Sequence, residues 1–395
     1  MNSYKKIKLS DFVYMNPTER LPKGTIARKI SMDQIEPYKK FAFSTDYEPY
    51  SGGAKFRNED TIMARITPCL ENGKTAYISG LAEDEIAFGS TEYIVLRAKE
   101  NISIPDFVYY LTISSIVREP AIKSMVGSSG RQRVQQSVLD ELEIPLFSIA
   151  DQQHIVDILG SIDDKIENNE KFIDALLKKL KLEYTNRFSY KEDKTVSLSH
   201  FVSTTIGGDW GKETAEKSFS ERIVCIRGAD IPEIASGRNG RPPIRYILQK
   251  NRVAKELADF EIIVEISGGS PTQSTGRCAL ITSDLIAQYD CPLICTNFCR
   301  ALRCVDKKSA AYVYSAFSKM YDDNIFFNYE NGTTGIKNLD LQSILDKELV
   351  YCPSDTELSD FYSFTNNIYS HISYLKNENN KLNELKQLYL KKFFG

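Results

Sequence analysis

From Ile155 onward, apolar residues recur in steps of three and four, at Ile155, Leu159, Ile162, Ile166, Ile173, Leu176 and Leu180. That spacing places them on one stripe of a helix. Counted as heptads, one seam position takes Leu159, Ile166, Ile173 and Leu180. The other takes Ile155, Ile162, Asn169 and Leu176, so one polar residue interrupts the stripe. Ser148 followed by Asp151 offers a capping start. A helix over 151–188 would be roughly 57 Å long. With a single apolar stripe it needs a partner.

The same plan recurs near the C-terminus. Ser354 and Glu357 form the better capping box, and a seam follows at Leu358, Phe361, Ile368, Ile372, Leu375, Leu382, Tyr389 and Phe393, broken by Asn379. Upstream of each helix lies a Gly-x-x-Gly turn, at Gly127 and Gly332, and a short apolar run ending in proline, at Pro145 and Pro353. The turns are 205 residues apart and the prolines 208. Farther upstream, Leu9-Ser10-Asp11-Phe12-Val13 matches Leu198-Ser199-His200-Phe201-Val202, and Ile62 to Ile66 matches Ile262 to Ile266. Leu96-Arg97 matches Leu302-Arg303, and Phe107-Val108-Tyr109 matches Tyr312-Val313-Tyr314. A separation drifting from 189 to 208 is what duplication with a few insertions produces.

The predicted organisation has four parts. Residues 1–148 and 191–353 form two similar mixed α/β globular blocks, and 149–190 and 354–395 form two long helices that pair antiparallel. The fold class is α+β with a pseudo-two-fold internal repeat. Within the first block, β-branched and aromatic runs over 60–67, 75–79 and 91–97 predict strands, and a helix is expected from Pro105 to about Arg118. Asn169 and Asn379 either set the register of the helix pair or face solvent.

Hydrophobic content of 42% and charged content of 26% suit a globular chain with real cores. The N-terminus carries no signal-peptide pattern, no apolar run reaches membrane-spanning length, and the eight cysteines read as reduced thiols, so a cytoplasmic location is expected. A net charge of −3 does not announce a nucleic-acid partner. Locally, residues 222–255 hold eight basic side chains against Asp230 and Glu233, a difference of +6 that would attract phosphate.

Five loop regions gather residue types that hydrogen-bond phosphates and base edges. In the first block these supply Arg57, Arg65, Thr67 and Lys74, then Ser128, Ser129, Arg131, Gln132 and Arg133. In the second they supply Arg238, Asn239, Arg241 and Arg245, then Thr272, Gln273, Arg277, Thr333, Thr334, Lys337 and Asn338. The same residues also suit ordinary solvated turns. Their appearance as two equivalent sets, each joined to a long helix, favours a shared role.

With these residues in hand, the sequence resembles the DNA-specificity subunit of type I restriction–modification systems. The resemblance rests on Arg65-Ile-Thr-Pro-Cys-Leu-Glu-Asn-Gly-Lys74, the Gly-x-x-Gly turns, and Ile144-Pro145 followed by Asp151-Gln152-Gln153. It also rests on the block–helix–block–helix layout over the whole chain. It implies that each block is a target recognition domain reading one half of a split DNA sequence, with the helix pair fixing the unread spacer. It further implies two methyltransferase subunits, carrying S-adenosylmethionine, docked on the scaffold, and a restriction subunit able to join. The second repeat departs from the pattern, since its helix opens without the glutamine pair and its strand loop lacks Thr-Pro.

Chemistry in the chain itself is not expected. A methyltransferase would need a glycine-rich cofactor loop and an Asn/Asp-Pro-Pro-aromatic motif, and Gly73-Lys74-Thr75 lacks the upstream glycine of a phosphate loop. Glu192-Asp193-Lys194 offers carboxylates and a lysine only in a linker. Cys291, Cys295, Cys299 and Cys304 lack Cys-x-x-Cys spacing, so no metal is expected. Trp210 and the other aromatics are expected to pack cores. The alternatives are a coiled-coil assembly scaffold without DNA recognition, favoured by a featureless loop face, and a cryptic enzyme, which would need a titratable cluster in a deep pocket.

Overall fold

The computed structural model describes residues 5–128, 130–191, 193–268, 270, 272–332 and 337–395. Ser129, Glu192, Thr333 and Thr334 lie outside the described residues. The chain divides into two compact units, Met1–Glu167 with Asn380–Gly395, and Asn168–Asn379. The division falls within both long helices, so each unit takes part of each. Among the described residues no helix is long and apolar enough to cross a membrane.

In unit 1 the strands Val13–Met15, Tyr93–Ala98, Thr61–Ala64 and Thr75–Tyr77 form an antiparallel sheet in that order. A second sheet orders Tyr47–Pro49, Ile26–Ile30, Ala87–Gly89 and Lys55–Phe56, with its middle pair parallel. Lys6–Lys8 pairs with Glu143–Pro145. The predicted helix from Pro105 breaks at Ser114, whose extended backbone separates Pro105–Ile113 from Ser115–Lys123.

Unit 2 repeats the plan. Its antiparallel sheet orders Val202–Gly207, Cys299–Cys304, Ile262–Glu265 and Cys278–Leu280. Phe219–Ile226 runs parallel to Leu293–Cys295 and antiparallel to Ile244–Leu248. Thr195–Ser197 pairs with Leu349–Tyr351. A third sheet, Ser267–Gly268, Lys337–Leu339 and Glu330–Asn331, is added here.

A buried ion pair recurs with the repeat. Arg97 grips Asp60 through two hydrogen bonds of 2.6 Å, while Arg303 bonds the Glu261 carboxylate through Nε and donates from Nη2 to the Glu256 carbonyl at 3.0 Å. Asp60 also accepts the Arg57 N–H at 2.9 Å, and Glu261 the Ala258 N–H at 3.1 Å. Asp60 therefore corresponds to Glu261, so Ile62 corresponds to Ile263. The sequence match of Ile62 with Ile262 is one residue out of register. Both strands are buried on both faces, so no apolar–polar alternation marks their register.

The central helix spans Ile149–Tyr184 and ends in a π-helical turn over Thr185–Ser189. The C-terminal helix spans Asp355–Phe394. At the first start, Ser148 accepts the Asp151 N–H at 3.1 Å, and its hydroxyl donates to the Asp151 carboxylate at 2.7 Å. Buried Gln152 accepts the Ile104 N–H and donates to the carbonyls of Ile102 and Phe147, tying this helix to the globular part of unit 1. At the second start, Glu357 accepts the Ser354 N–H at 2.8 Å and returns its own N–H to the Ser354 hydroxyl.

Within each unit the helix segments run antiparallel. In unit 1, Ile155 and Leu159 share a core with Leu390 and Phe394, Ile162 is buried, and Asp163 pairs with Lys386. In unit 2, Ile173 and Leu176 pack with Ile368, Ile372 and Leu375, and Leu180 joins the core around Phe361. Asn169 is 3% exposed and donates to Asn379 Oδ1 at 2.7 Å. Ile166 and Leu382 are half-buried. Beyond Leu375 the buried stripe runs through Lys386, Leu390 and Phe394, whereas Tyr389 and Phe393 are only half-buried. A strict heptad drifts from a straight helix by about 20° per repeat, which moved the expected positions by one.

Candidate nucleic-acid interface

In unit 1 the fold brings the two polar loops singled out by the sequence side by side. The Thr67 N–H donates to the Gln132 carbonyl at 3.0 Å, and the Val134 N–H to the Arg65 carbonyl at 2.9 Å. Ile66 bridges Arg133, and the Arg65 guanidinium donates to the Val134 carbonyl at 3.2 Å. Arg133 forks onto Glu92 at 2.6 to 3.0 Å, which holds the Glu92 carboxyl below the usual carboxylate range. Arg131 and Ser128 are exposed, and the Arg131 side chain has no intramolecular partner among the described residues. Lys74 instead donates to the Met32 carbonyl at 2.6 Å, and Arg57 pairs with Glu19 at 3.1 Å.

Unit 2 builds the same frame. The Leu339 N–H donates to the Ile266 carbonyl at 2.9 Å, and Ser267 pairs with Asn338. Arg65 and Ile266 thus occupy equivalent places, as do Arg133 and Asn338. The Arg65 N–H donates to the Glu92 carbonyl and the Ile266 N–H to that of Phe298, which makes Glu92 and Phe298 equivalent. Lys74 corresponds to Arg277, because the Ala64 and Glu265 N–H groups donate to their carbonyls. The backbone is shared while the side chains differ. Phe298 is exposed where unit 1 has an ion-paired acid.

The sequence-predicted residues of unit 2 fall into two groups. Thr272, Gln273 and Asn338 are exposed, with Gln273 donating to Tyr321 at 3.3 Å and Asn338 accepting from Ser267 at 2.8 Å. Arg241 is also exposed, with only its backbone engaged among the described residues. The others are held inside the unit. Arg277 forks onto buried Glu265 at 2.5 and 2.8 Å, and Lys337 pairs with Glu330 at 2.7 Å. Arg238 pairs with Glu233 at 2.6 Å, and the Asn239 carbonyl accepts from Tyr289. Arg245 is buried, 3.7 Å from the ring of Trp210 and 3.0 Å from Glu213. Trp210 is therefore not a core residue: it is 39% exposed and backs this guanidinium.

The +6 window over 222–255 is largely neutralised by the fold. Asp290 pairs with Arg222, Glu213 with Arg245, and Glu221 and Glu256 with Arg252, all from outside the window. Asp230 and Glu233 take Arg227 and Arg238. A window count sees none of the partners that strand pairing brings in.

Burial pushes the thiols of Cys295, Cys299 and Cys304 up to about 12, which keeps them protonated at neutral pH. A cavity of about 570 Å³ lies between the helix segment around Leu177 and the helix Lys307–Asp322. Its charged lining includes Lys181 and Asp322, which pair at 2.7 Å, and Arg277, already bound to Glu265.

Residues 1–178 match the family described as type I restriction modification DNA specificity domain. Over 105 residues, 27% of this chain and 18% of the relative, the chain is 32% identical to the type I restriction enzyme EcoAI specificity subunit of Escherichia coli. Over 120 residues, 30% of this chain and 25% of the relative, it is 28% identical to the HindI specificity subunit of Haemophilus influenzae. The chain thus spans a quarter or less of the length of these relatives. In fold it is similar to the S subunit of a type I restriction–modification system from M. genitalium, with a TM-score of 0.51 and 16% identity over 100% of this chain and 97% of that one. The family match thus covers residues 1–178, and the whole chain has the fold of a type I S subunit.

Proposed function

We propose that the chain is the sequence-specific DNA-binding subunit of a type I restriction–modification complex and carries no catalytic group of its own. One observation supports this most strongly. In each unit a strand loop and a turn loop, both rich in Arg, Gln, Asn, Ser and Thr, are held together by the same backbone pairing. Loops locked to a sheet present hydrogen-bonding side chains at fixed positions, as base readout requires. The contacts we assign to DNA are Ser128, Arg131, Gln132 and Arg133 in unit 1, and Arg241, Thr272, Gln273 and Asn338 in unit 2. Lys74, Arg245, Arg277 and Lys337 are assigned to shaping the loops, because each is at least half-buried as well as engaged inside its unit, whereas Arg133, Gln273 and Asn338 keep exposed side chains beside their partners.

On this reading each unit reads one half of a bipartite target. The helix pair sets the unread spacer and docks two methyltransferase subunits, which bring S-adenosylmethionine, and a restriction subunit can join. The test is selection of random duplex DNA by the chain together with its methyltransferase partner. Two half-motifs at a constant gap are expected, with affinity falling steeply with salt. Selection of no motif would refute the reading.

A further inference from the structure

We infer that two polar layers in the helix seam select the partner of each long helix. They admit the central helix beside the C-terminal helix of the same chain, and they disfavour either helix beside a second copy of itself.

The first layer lies in unit 1. Asp163 and Lys386 form an ion pair of 2.6 Å with side chains 8% and 3% exposed. The Tyr110 hydroxyl donates to the other Asp163 oxygen at 2.8 Å. The second lies in unit 2, where the Asn169 amide donates to Asn379 Oδ1 and to Glu378, each at 2.7 Å. A buried polar group is tolerated in an apolar seam only opposite its complement.

The repeat shows where each complement is missing. Around the helix starts the offset is 206 residues. Leu142 and Glu348 accept the equivalent N–H groups of Leu9 and Leu198, and Ser148 and Ser354 are the two caps. This offset carries Ile162 onto Ile368, Ile166 onto Ile372 and Phe188 onto Phe394, so these apolar positions repeat. The polar layers do not repeat. Asn169 falls on Leu375 and Asn379 on Ile173, two members of one apolar cluster. Asp163 falls on Tyr369 and Lys386 on Leu180, which also pack in a common core.

Mispairing therefore has a definite cost. A second central helix in the place of the C-terminal one would set Asn169 against Ile173 and Asp163 against Leu180, twice each. A second C-terminal helix would set Asn379 against Leu375 and Lys386 against Tyr369. Each arrangement buries amides and charges without partners, which penalises it strongly. The need arises from chain order. The central helix is complete at Tyr184, and its partner begins at Asp355. At about 5–20 residues per second, its apolar stripe waits on the order of ten to thirty seconds during synthesis. In that interval the available partners are the same helices of other copies.

The test uses the full-length chain, followed by light scattering and thermal unfolding. Replacing both layers with apolar residues, Asp163→Leu, Lys386→Leu, Asn169→Leu and Asn379→Ile, should leave a folded chain, since hydrophobic replacement of a buried ion pair is tolerated. Its dimer fraction should rise about tenfold or more over the wild type, the effect of a shift of about 1.4 kcal/mol. In a second arm, differently tagged Asp163→Lys and Lys386→Asp chains are co-expressed. Each is mismatched alone and matched only across chains, so the two should co-purify while two copies of either do not. A folded apolar variant with the wild-type dimer fraction overturns the inference. So does failure of two folded charge variants to co-purify. If a charge variant does not fold, the apolar variant decides.

Discussion

Arg131 and Arg277 both lie in the loops offered as a DNA contact surface, yet the structure gives them opposite duties, and the difference can be measured. Arg131 is exposed and unpartnered among the described residues. Arg277 forks onto Glu265, whose side chain is 4% exposed. Suppose Arg131→Ala removes one phosphate contact. The slope of log affinity against log salt should then become shallower by about 0.9, so the wild-type advantage should shrink about 3.5-fold between 50 and 200 mM salt. If Arg131 reads a base instead, the loss is ~1–3 kcal/mol, and discrimination relaxes at one position of the half-site read by unit 1. Arg277→Met should leave the salt slope unchanged. It strands the Glu265 carboxylate in the interior, at a cost of ~3–5 kcal/mol. For a unit of 212 residues (168 to 379), that corresponds to a fall in Tm of roughly 6–20 °C at 2–4 °C per kcal/mol. The assay pairs fluorescence anisotropy of the methyltransferase complex on its selected duplex at several salt concentrations with calorimetry of the chain. If Arg277→Met keeps the wild-type Tm and makes the slope shallower, while Arg131→Ala leaves binding untouched, the division of loop residues is wrong.

Three further perturbations test the frame that holds these loops. Arg97→Met leaves Asp60, which is wholly buried, without its cation and should cost ~3–5 kcal/mol, whereas Asp60→Leu with Arg97→Met should lose much less; equal losses in chemical denaturation would dismiss the ion pair as the cause. Hydrogen bonds, first from Lys191 and then from the Ser354 N–H, hold the Glu357 carboxyl at about 2, below its ordinary 4.5. A depressed acid stabilises the fold above about pH 4.5 and loses that contribution as pH falls toward 2. Glu357→Gln should therefore lower stability near pH 7 by ~1 kcal/mol, the figure for a partly exposed cap. It should also flatten the acid limb of a Tm-against-pH curve, and an unchanged limb would count against this account. Leu159→Ala opens a void in the core shared with Leu390 and Phe394 and should cost ~2–5 kcal/mol by urea unfolding, with a smaller effect meaning that the seam collapses around it.

How far the sequence alone reveals this molecule follows from which interactions are local. The long helices announce themselves because a 3.6-residue period over 36 and 40 residues has no rival explanation, and their caps are spelled out within four residues. The duties of the arginines are not legible. Whether Arg222 or Arg252 is free depends on Asp290 and Glu221, brought near by strands separated in sequence. The role of Lys386 is hidden in the sequence for the same reason. A lysine at a seam position reads as a solvated flank until its aspartate, 223 residues away, is seen opposite it.

The one-residue slip between the two repeats bears most directly on function. Strands Thr61–Ala64 and Ile262–Glu265 are buried on both faces, so any register satisfies their pattern, and only the ion pairs and backbone hydrogen bonds identify the true one. In that register Arg65 lies on Ile266, Glu92 on Phe298 and Arg133 on Asn338, so the linked charges of unit 1 become apolar and amide groups in unit 2. The duplication has thus kept the hydrogen bonds that position the loops and exchanged the side chains they present. A frame built from backbone groups tolerates such exchange, because the backbone bonds between the loops are the same in both units while the side-chain bonds beside them differ. It follows that moving the unit 1 triplet into unit 2, as Ile266→Arg, Phe298→Glu and Asn338→Arg, should leave the fold intact. In the complex, DNA selection should then change in one half-motif and stay the same in the other. A change in both halves, or in neither, would show that the loops do not act as independent readers.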